Sequence, residues 1–134
     1  MRNPFIVLLL ILIGACQRDQ VVGPLDDFYQ RWHLIRYRPI QDTKWTFHDT
    51  DAYYDLEYRP DGAIVYRRNG ASGQGNCCVP TAFTREGITI KYSDWVLCPT
   101  ALCGTVKKTT ITQLSKQSLE LTDDYMVSQY EAVN

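Results

Sequence analysis

The stretch Tyr53-Tyr54-Asp55-Leu56-Glu57-Tyr58-Arg59-Pro60-Asp61-Gly62-Ala63-Ile64-Val65-Tyr66 decides the fold class. Tyr54, Leu56 and Tyr58 alternate with Tyr53, Asp55 and Glu57, so one face is apolar and the other mostly polar. That period of two is the signature of a half-buried strand. Arg59-Pro60-Asp61-Gly62 supplies turn chemistry, with proline fixing φ and glycine tolerating φ > 0. Ile64 and Tyr66 then resume the alternation, and the whole reads as a hairpin.

The same grammar recurs on the C-terminal side. Arg85-Glu86-Gly87 precedes Ile88-Thr89-Ile90-Lys91-Tyr92, and Ser115-Lys116-Gln117-Ser118 separates a strand over Ile111 to Leu114 from Leu119-Glu120-Leu121. Tyr125 to Tyr130 reads as a last strand. On the N-terminal side strands begin at Trp32, and Leu25 to Gln30 reads as a single helical turn before them. Asn69 to Asn76, with three glycines and few apolar residues, reads as a flexible loop outside any core. About 7–8 short strands at this spacing predict an all-β domain, a small antiparallel β-barrel or a strongly curled sheet.

The 134 residues are 45% hydrophobic and 22% charged, the profile of one globular domain. A formal net charge of -1, with 14 Lys+Arg against 15 Asp+Glu interleaved, offers no basic field for a phosphate backbone, so no nucleic-acid partner is expected. Neither G-x-G-x-x-G nor G-x-x-x-x-G-K-[ST] occurs, and no cofactor is implied.

The first residues read as an address. Arg2 supplies a positive n-region, Phe5 to Ile13 form an apolar run, and Ile13-Gly14-Ala15-Cys16 follows. The run is short for a bilayer-spanning helix. Ile13-Gly14-Ala15-Cys16 resembles the lipobox of bacterial lipoproteins, which implies a signal peptide over 1–15, acylation of Cys16, palmitate among the expected chains, and a mature N-terminus there. More than one acyl chain is what stable membrane attachment requires. Gln17, standing where the sorting pattern has Asp for retention, implies the outer membrane of the cell envelope. Residues 16–24 are then the lipidated cysteine and a short tether. Extended, Gln17 to Pro24 reaches roughly 25–30 Å at about 3.3–3.6 Å per residue. Residues 25–134 form the β domain.

Cys77, Cys78, Cys98 and Cys103 remain, an even number in a chain read as exported, which is the arithmetic of two disulfides. A bond between the neighbours Cys77 and Cys78 needs a strained ring, so cross-pairing with Cys98 and Cys103 is expected. Zinc binding or redox exchange is the competing chemistry. The absence of C-x-x-C and the Cys98-x4-Cys103 spacing argue against it.

Asp27-Phe28-Tyr29-Gln30-Arg31-Trp32-His33-Leu34-Ile35-Arg36-Tyr37 resembles the opening of lipocalins, in which a 3₁₀ turn runs into a first strand bearing Gly-x-Trp and, further on, Arg. Trp32 matches the tryptophan, Arg36 stands near the arginine, and Gln30 occupies the glycine position. The resemblance is to the compact lipocalin-like lipoproteins of bacteria, through Trp32-His33-Leu34, Asp61-Gly62 and Leu119-Glu120-Leu121. It implies a barrel whose closed end is plugged by Trp32. META-type envelope domains show similar patterns.

In such a barrel Trp32, Tyr54, Leu56, Tyr58, Ile64, Tyr66, Ile88, Ile90 and Tyr92 point inward, where they line a cavity for a hydrophobic or aromatic small molecule or simply fill the core. The filled alternative is a structural lipoprotein that meets another envelope protein through its edges or loops. His48-Asp49-Thr50-Asp51, with His33 and Asp55, packs metal-ligand types together, but a solvated loop explains the same letters and no metal is expected. No nucleophile elbow or paired-acid arrangement is legible, so no catalytic residue is named; an enzyme would need His33 or His48 in a cleft beside an acid.

Overall fold

The computed structural model describes residues 22–73 and 77–134. The segment 1–15 read as a signal peptide, Cys16 and most of the stretch read as a tether lie outside the described residues, as do Gln74 to Asn76. A 3₁₀ turn, Leu25–Phe28, leads into ten strands: β1 Arg31–Pro39, β2 Thr46–Phe47, β3 Tyr54–Tyr58, β4 Ile64–Arg68, β5 Ala71–Ser72, β6 Val79–Glu86, β7 Thr89–Val96, β8 Lys108–Leu114, β9 Ser118–Thr122 and β10 Met126–Ala132. Eight of them are the strands of an all-β curled sheet; β2 and β5, of two residues each, are additions the periodicity does not signal.

The sheet runs β5-β4-β3-β1-β10-β9-β8-β7-β6, with β2 pairing β1 off this path, and every named pair is antiparallel. The sheet curls until β4 and β6 meet, at a bridge between Ala63 and Ala82 and a hydrogen bond from Phe83 N–H to Gly62 O of 2.8 Å. Two residues further along β6 stands Pro80, which has no N–H to give to a neighbouring strand. There the backbone contact is replaced by a side chain: the Tyr66 hydroxyl donates to Pro80 O at 2.8 Å. The half-barrel is therefore tight at one end of this seam and spread at the other.

The tight end is the packed one. Phe28 and Trp32 are wholly buried, with Ile64, Phe83, Ile90, Ile111, Leu119 and Leu121 in the same cluster. Trp32 Nε1–H donates to Phe28 O at 3.0 Å, so the indole has its partner without leaving the core. The Phe28 ring lies 4.3 Å from that of Tyr58 and 5.8 Å, edge-on, from that of Phe83. Gln30 uses its side chain to tie the floor, Nε2 donating to Asp27 O and Lys116 O. Val22 bridges Leu114 and Gly23 N–H donates to Leu114 O, so the described chain enters at this closed end.

Two bulges decide which side chains face inward. Leu34 pairs Tyr130 and Arg36 pairs Gln129, leaving Ile35 as the extra residue. Residues two apart in a strand normally share a face, but a bulge exchanges the faces beyond it. Leu34 consequently faces the interior, while Arg36 lies outside and donates to Gln129 Oε1 at 2.6 Å. The second bulge, at Thr112, lets Ile111 and Leu114 both reach the core despite their odd spacing.

The reading of Asn69 to Asn76 as one loop is corrected. Asn69 and Gly70 both take positive φ, 50° and 82°, and form a two-residue turn that pairs Ala71 and Ser72 back onto Arg68 and Arg67. This is the backbone geometry that Asn-Gly favours between antiparallel strands.

Candidate functional site

At the spread end the interior is open. β1 and β3 are paired only at Arg31–Glu57 and Trp32–Leu56; beyond that β2 takes the place beside β1, pairing Arg36 and Tyr37, and His48 N–H donates to Ile35 O. The divergence leaves a lobe of about 300 Å³ between β1, β3 and the interior. Its walls are Trp32, Leu34, Tyr54, Leu56, Tyr66, Val79 and Tyr130, with His48 and Asp55 also on the lining. A second lobe, of about 230 Å³, shares Leu56, Tyr66 and Tyr130 with the first and adds Tyr58, Tyr92, Trp95, Thr109 and Asp123. Cys78, Pro80, Gly104 and Val106 complete its rim.

The second lobe is lined by hydroxyls. Tyr58 Oη and Tyr92 Oη are 2.9 Å apart, and Tyr92 Oη is 3.1 Å from Thr109 Oγ1. Burial first of all pushes the phenols of Tyr58, Tyr66, Tyr92 and Tyr130 above their ordinary value, so all four stay protonated at neutral pH. Each keeps one O–H to donate and oxygen lone pairs to accept. Asp123 sits at the turn between β9 and β10, its Oδ1 accepting from Tyr125 N–H at 2.7 Å and Met126 N–H at 2.8 Å.

Two disulfides hold the rim. Cys77 is bonded to Cys98 and Cys78 to Cys103, with Cα separations of 5.5 and 5.0 Å. The expected cross-pairing is thereby resolved into one connectivity, which fastens the start of β6 to two points of the loop after β7. Cys78 takes φ 60°, in the left-handed region.

The positions expected to face a cavity divide into three groups. Trp32, Tyr54, Leu56, Tyr58, Tyr66 and Tyr92 line the lobes. Ile64 and Ile90 are buried in the packed end and touch neither lobe. Ile88 does not point inward: it lies in the turn between β6 and β7 and is 43% exposed. Leu34, Val79, Trp95, Thr109, Asp123 and Tyr130 are lining residues that the sequence reading passed over. Tyr130 was legible, being in step with Ala132 and Ser128 on the last strand; Trp95 and Asp123 lie near strand ends, where alternation carries no information.

The outer face of β1, β3 and β4 is charged and interlocked. The buried carboxylate of Asp55 accepts from Arg31 Nε at 3.0 Å and Nη2 at 2.8 Å, with Arg67 Nη1 at 3.7 Å. Glu57 accepts from Arg67 and Arg59, and the Arg67 contact is the main reason its carboxyl lies below the usual range. Asp55 is therefore committed to structure. His33 stacks on Tyr53 at 4.1 Å and its Nδ1–H donates to Tyr54 O at 2.7 Å. A shallow hollow is lined by His33, His48, Asp49 and Asp51, but among the described residues no hydrogen bond joins either histidine to an acid. Among those residues no group of three or more His, Cys, Asp or Glu has an arrangement that could hold a metal ion.

No protein-family model, no curated protein and no solved structure matches the chain.

Proposed function

We propose that the chain is a bacterial envelope lipoprotein, acylated at Cys16 and held at the outer membrane, whose lipocalin-like barrel takes up a small hydrophobic or aromatic molecule. The observation that carries the binding part is the two-lobed cavity, whose lobes share Leu56, Tyr66 and Tyr130. Pockets of this kind, mostly apolar with a few placed polar groups, are where small ligands are held. The lipocalin-like opening and the lipobox-like Ile13-Gly14-Ala15-Cys16 support the rest. Val22 leaves the folded unit at its closed end, so a short tether to Cys16 turns that end toward the membrane and the cavity mouth away from it.

The reading is tested by native mass spectrometry of the mature protein, extracted gently from membranes and from cells expressing Cys16→Ser. A lipid mass and palmitate labelling lost in the serine variant support the anchor. A retained small-molecule adduct supports the binding barrel; a bare mass that no hydrophobic probe shifts overturns it.

A second reading, a protein-interaction lipoprotein without ligand, is favoured by one observation. Phe47, Leu97, Leu102 and Tyr125 are strongly exposed, and all four lie on loops or strand ends at the open end. Exposed apolar groups gathered at one pole mark contact surfaces. Cross-linking in intact envelopes that depends on Leu97 and Leu102 would favour it.

A further inference from the structure

We infer that the molecule this cavity accepts is an organic cation: an amine whose ammonium lies in the tyrosine lobe beside Asp123 and whose apolar body lies against Trp32, Leu34 and Leu56. This rests on the reading of the cavity as a ligand site.

Charge makes the first argument. The two lobes are lined by two carboxylates, Asp55 and Asp123, and by no lysine or arginine. Asp55 is already spent on Arg31 and Arg67. Asp123 is not: among the described residues it joins no ion pair. Lys107 and Lys108 flank it in a separate hollow on the rim, together with Asp124, and do not line the tyrosine lobe. An anionic ligand in the tyrosine lobe would meet a carboxylate and no cation on the lobe's own lining; a cation would meet its counter-charge.

The second argument is the lining itself. Tyr58, Tyr66, Tyr92, Tyr130 and Trp95 surround the same space. Aromatic rings and phenol oxygens present negative charge density to a cation, and the preference grows when the site excludes water. Burial above all keeps Tyr92 and Tyr130 neutral, with the charge of Asp123 a smaller contribution, so the phenol oxygens carry no competing charge of their own. The other lobe lacks the linked hydroxyls of Tyr58, Tyr92 and Thr109 and is walled mostly by apolar surface, which suits the rest of an amphipathic molecule.

The test uses the mature, lipidated chain in phosphatidylcholine nanodiscs at neutral pH, with empty nanodiscs as reference. Naphthylethylamine, naphthylethanol and naphthylacetate share one apolar body and differ in head charge; calorimetry gives the affinity of each. The expected order is amine, alcohol, acid, with the amine tighter than the alcohol by about tenfold, as one well-placed counter-charge provides. In Asp123→Asn the amide oxygen can still accept from Tyr125 and Met126, so the turn stands, and the amine should fall to the affinity of the alcohol while the alcohol is unchanged. Lys107→Gln combined with Lys108→Gln should keep the order. An acid that binds as tightly as the amine, or an amine preference that survives Asp123→Asn, overturns the inference and leaves the binding barrel intact. Three probes that all fail to bind overturn both.

Discussion

The phenol oxygens of Tyr58 and Tyr92 lie 2.9 Å apart and join β3 to β7, two strands that are not neighbours in the sheet, across the interior of the half-barrel. Tyr92 is the middle of a chain that ends at Thr109. Tyr92→Phe leaves two buried hydroxyls without their partner and should lower stability by about 1–3 kcal/mol, whereas Tyr58→Phe removes one end only and should cost about 1 kcal/mol. Urea unfolding of both variants measures the difference; equal losses would show that the hydroxyls act independently.

Stability should fall at both extremes of pH, for different groups. The four interior phenols have folded values above the unfolded value of about 10. Their contribution is complete below about pH 10 and is lost as pH rises toward the folded values, because the unfolded chain sheds those protons first. Glu57 is displaced the other way, so its contribution is present above its unfolded value of about 4.5 and is lost as pH falls through its lower folded value. Urea midpoints from pH 3 to pH 11.5 check both limbs, and a midpoint that stays flat above about pH 10 would contradict the burial of the phenols.

Asp55→Asn removes the carboxylate that two arginines share on the outer face. Among the described residues Arg67 Nη1 has no hydrogen-bond partner, and the substitution strips away the Asp55 charge 3.7 Å from it, leaving the guanidinium with Glu57 alone. Arg31 is more than a third exposed and can be rehydrated, which softens the loss. A cost of about 2–3 kcal/mol is expected, below the value for a fully buried pair. The double variant Asp55→Asn with Arg67→Met should recover part of it.

Gly62 has φ 90°, and a Cβ there would stand 2.9 Å from Phe83 O, where the turn leading into β4 meets β6 backbone to backbone. Gly62→Ala should therefore cost more than about 1 kcal/mol and loosen the seam. Faster hydrogen exchange at Phe83 N–H than at Tyr92 N–H in that variant is the specific readout. Uniform acceleration would point to global weakening.

Each disulfide should contribute about 2–4 kcal/mol, but their local effect is on the second lobe. Cys78 is on its rim, and Trp95, Gly104 and Val106 flank the segment from Cys98 to Cys103 that the two bonds hold. Reduction with the fold still intact should weaken binding of an interior ligand more than it changes the far-ultraviolet circular dichroism. Mass mapping of peptides containing Cys77–Cys98 and Cys78–Cys103 checks the pairing itself.

The hairpin at Arg59 to Gly62 was legible because its turn residues and its alternating flanks say the same thing, and so was the unit around Gly87. The bulges at Ile35 and Thr112 were not, since a bulge changes which parity faces inward without leaving a mark in composition. Arg36 falls outside for that reason, and there its guanidinium lies 4.5 Å from the ring of Trp45. Asp55 was read as a solvent-side residue of an alternating strand. It is on the outer side, yet buried, because cross-strand arginines and their neighbours cover it. Six of the eighteen lining residues, four of them tyrosines, were visible as inward positions; the remainder depends on where the strands part and the loops close, which long-range pairing decides.

β10, the last of the strands in sequence, is not an edge but lies between β1 and β9 in the middle of the sheet. A chain formed from its N-terminus can assemble β1, β3 and β4 early, yet β1 then holds a row of unpaired N–H and C=O groups until β10 exists to cover it. A bare edge of that kind is a template for pairing with other copies. The period of greatest aggregation hazard thus spans most of the chain's emergence, and Arg36 and Arg38, charges carried on that waiting edge, are placed to discourage the wrong partner.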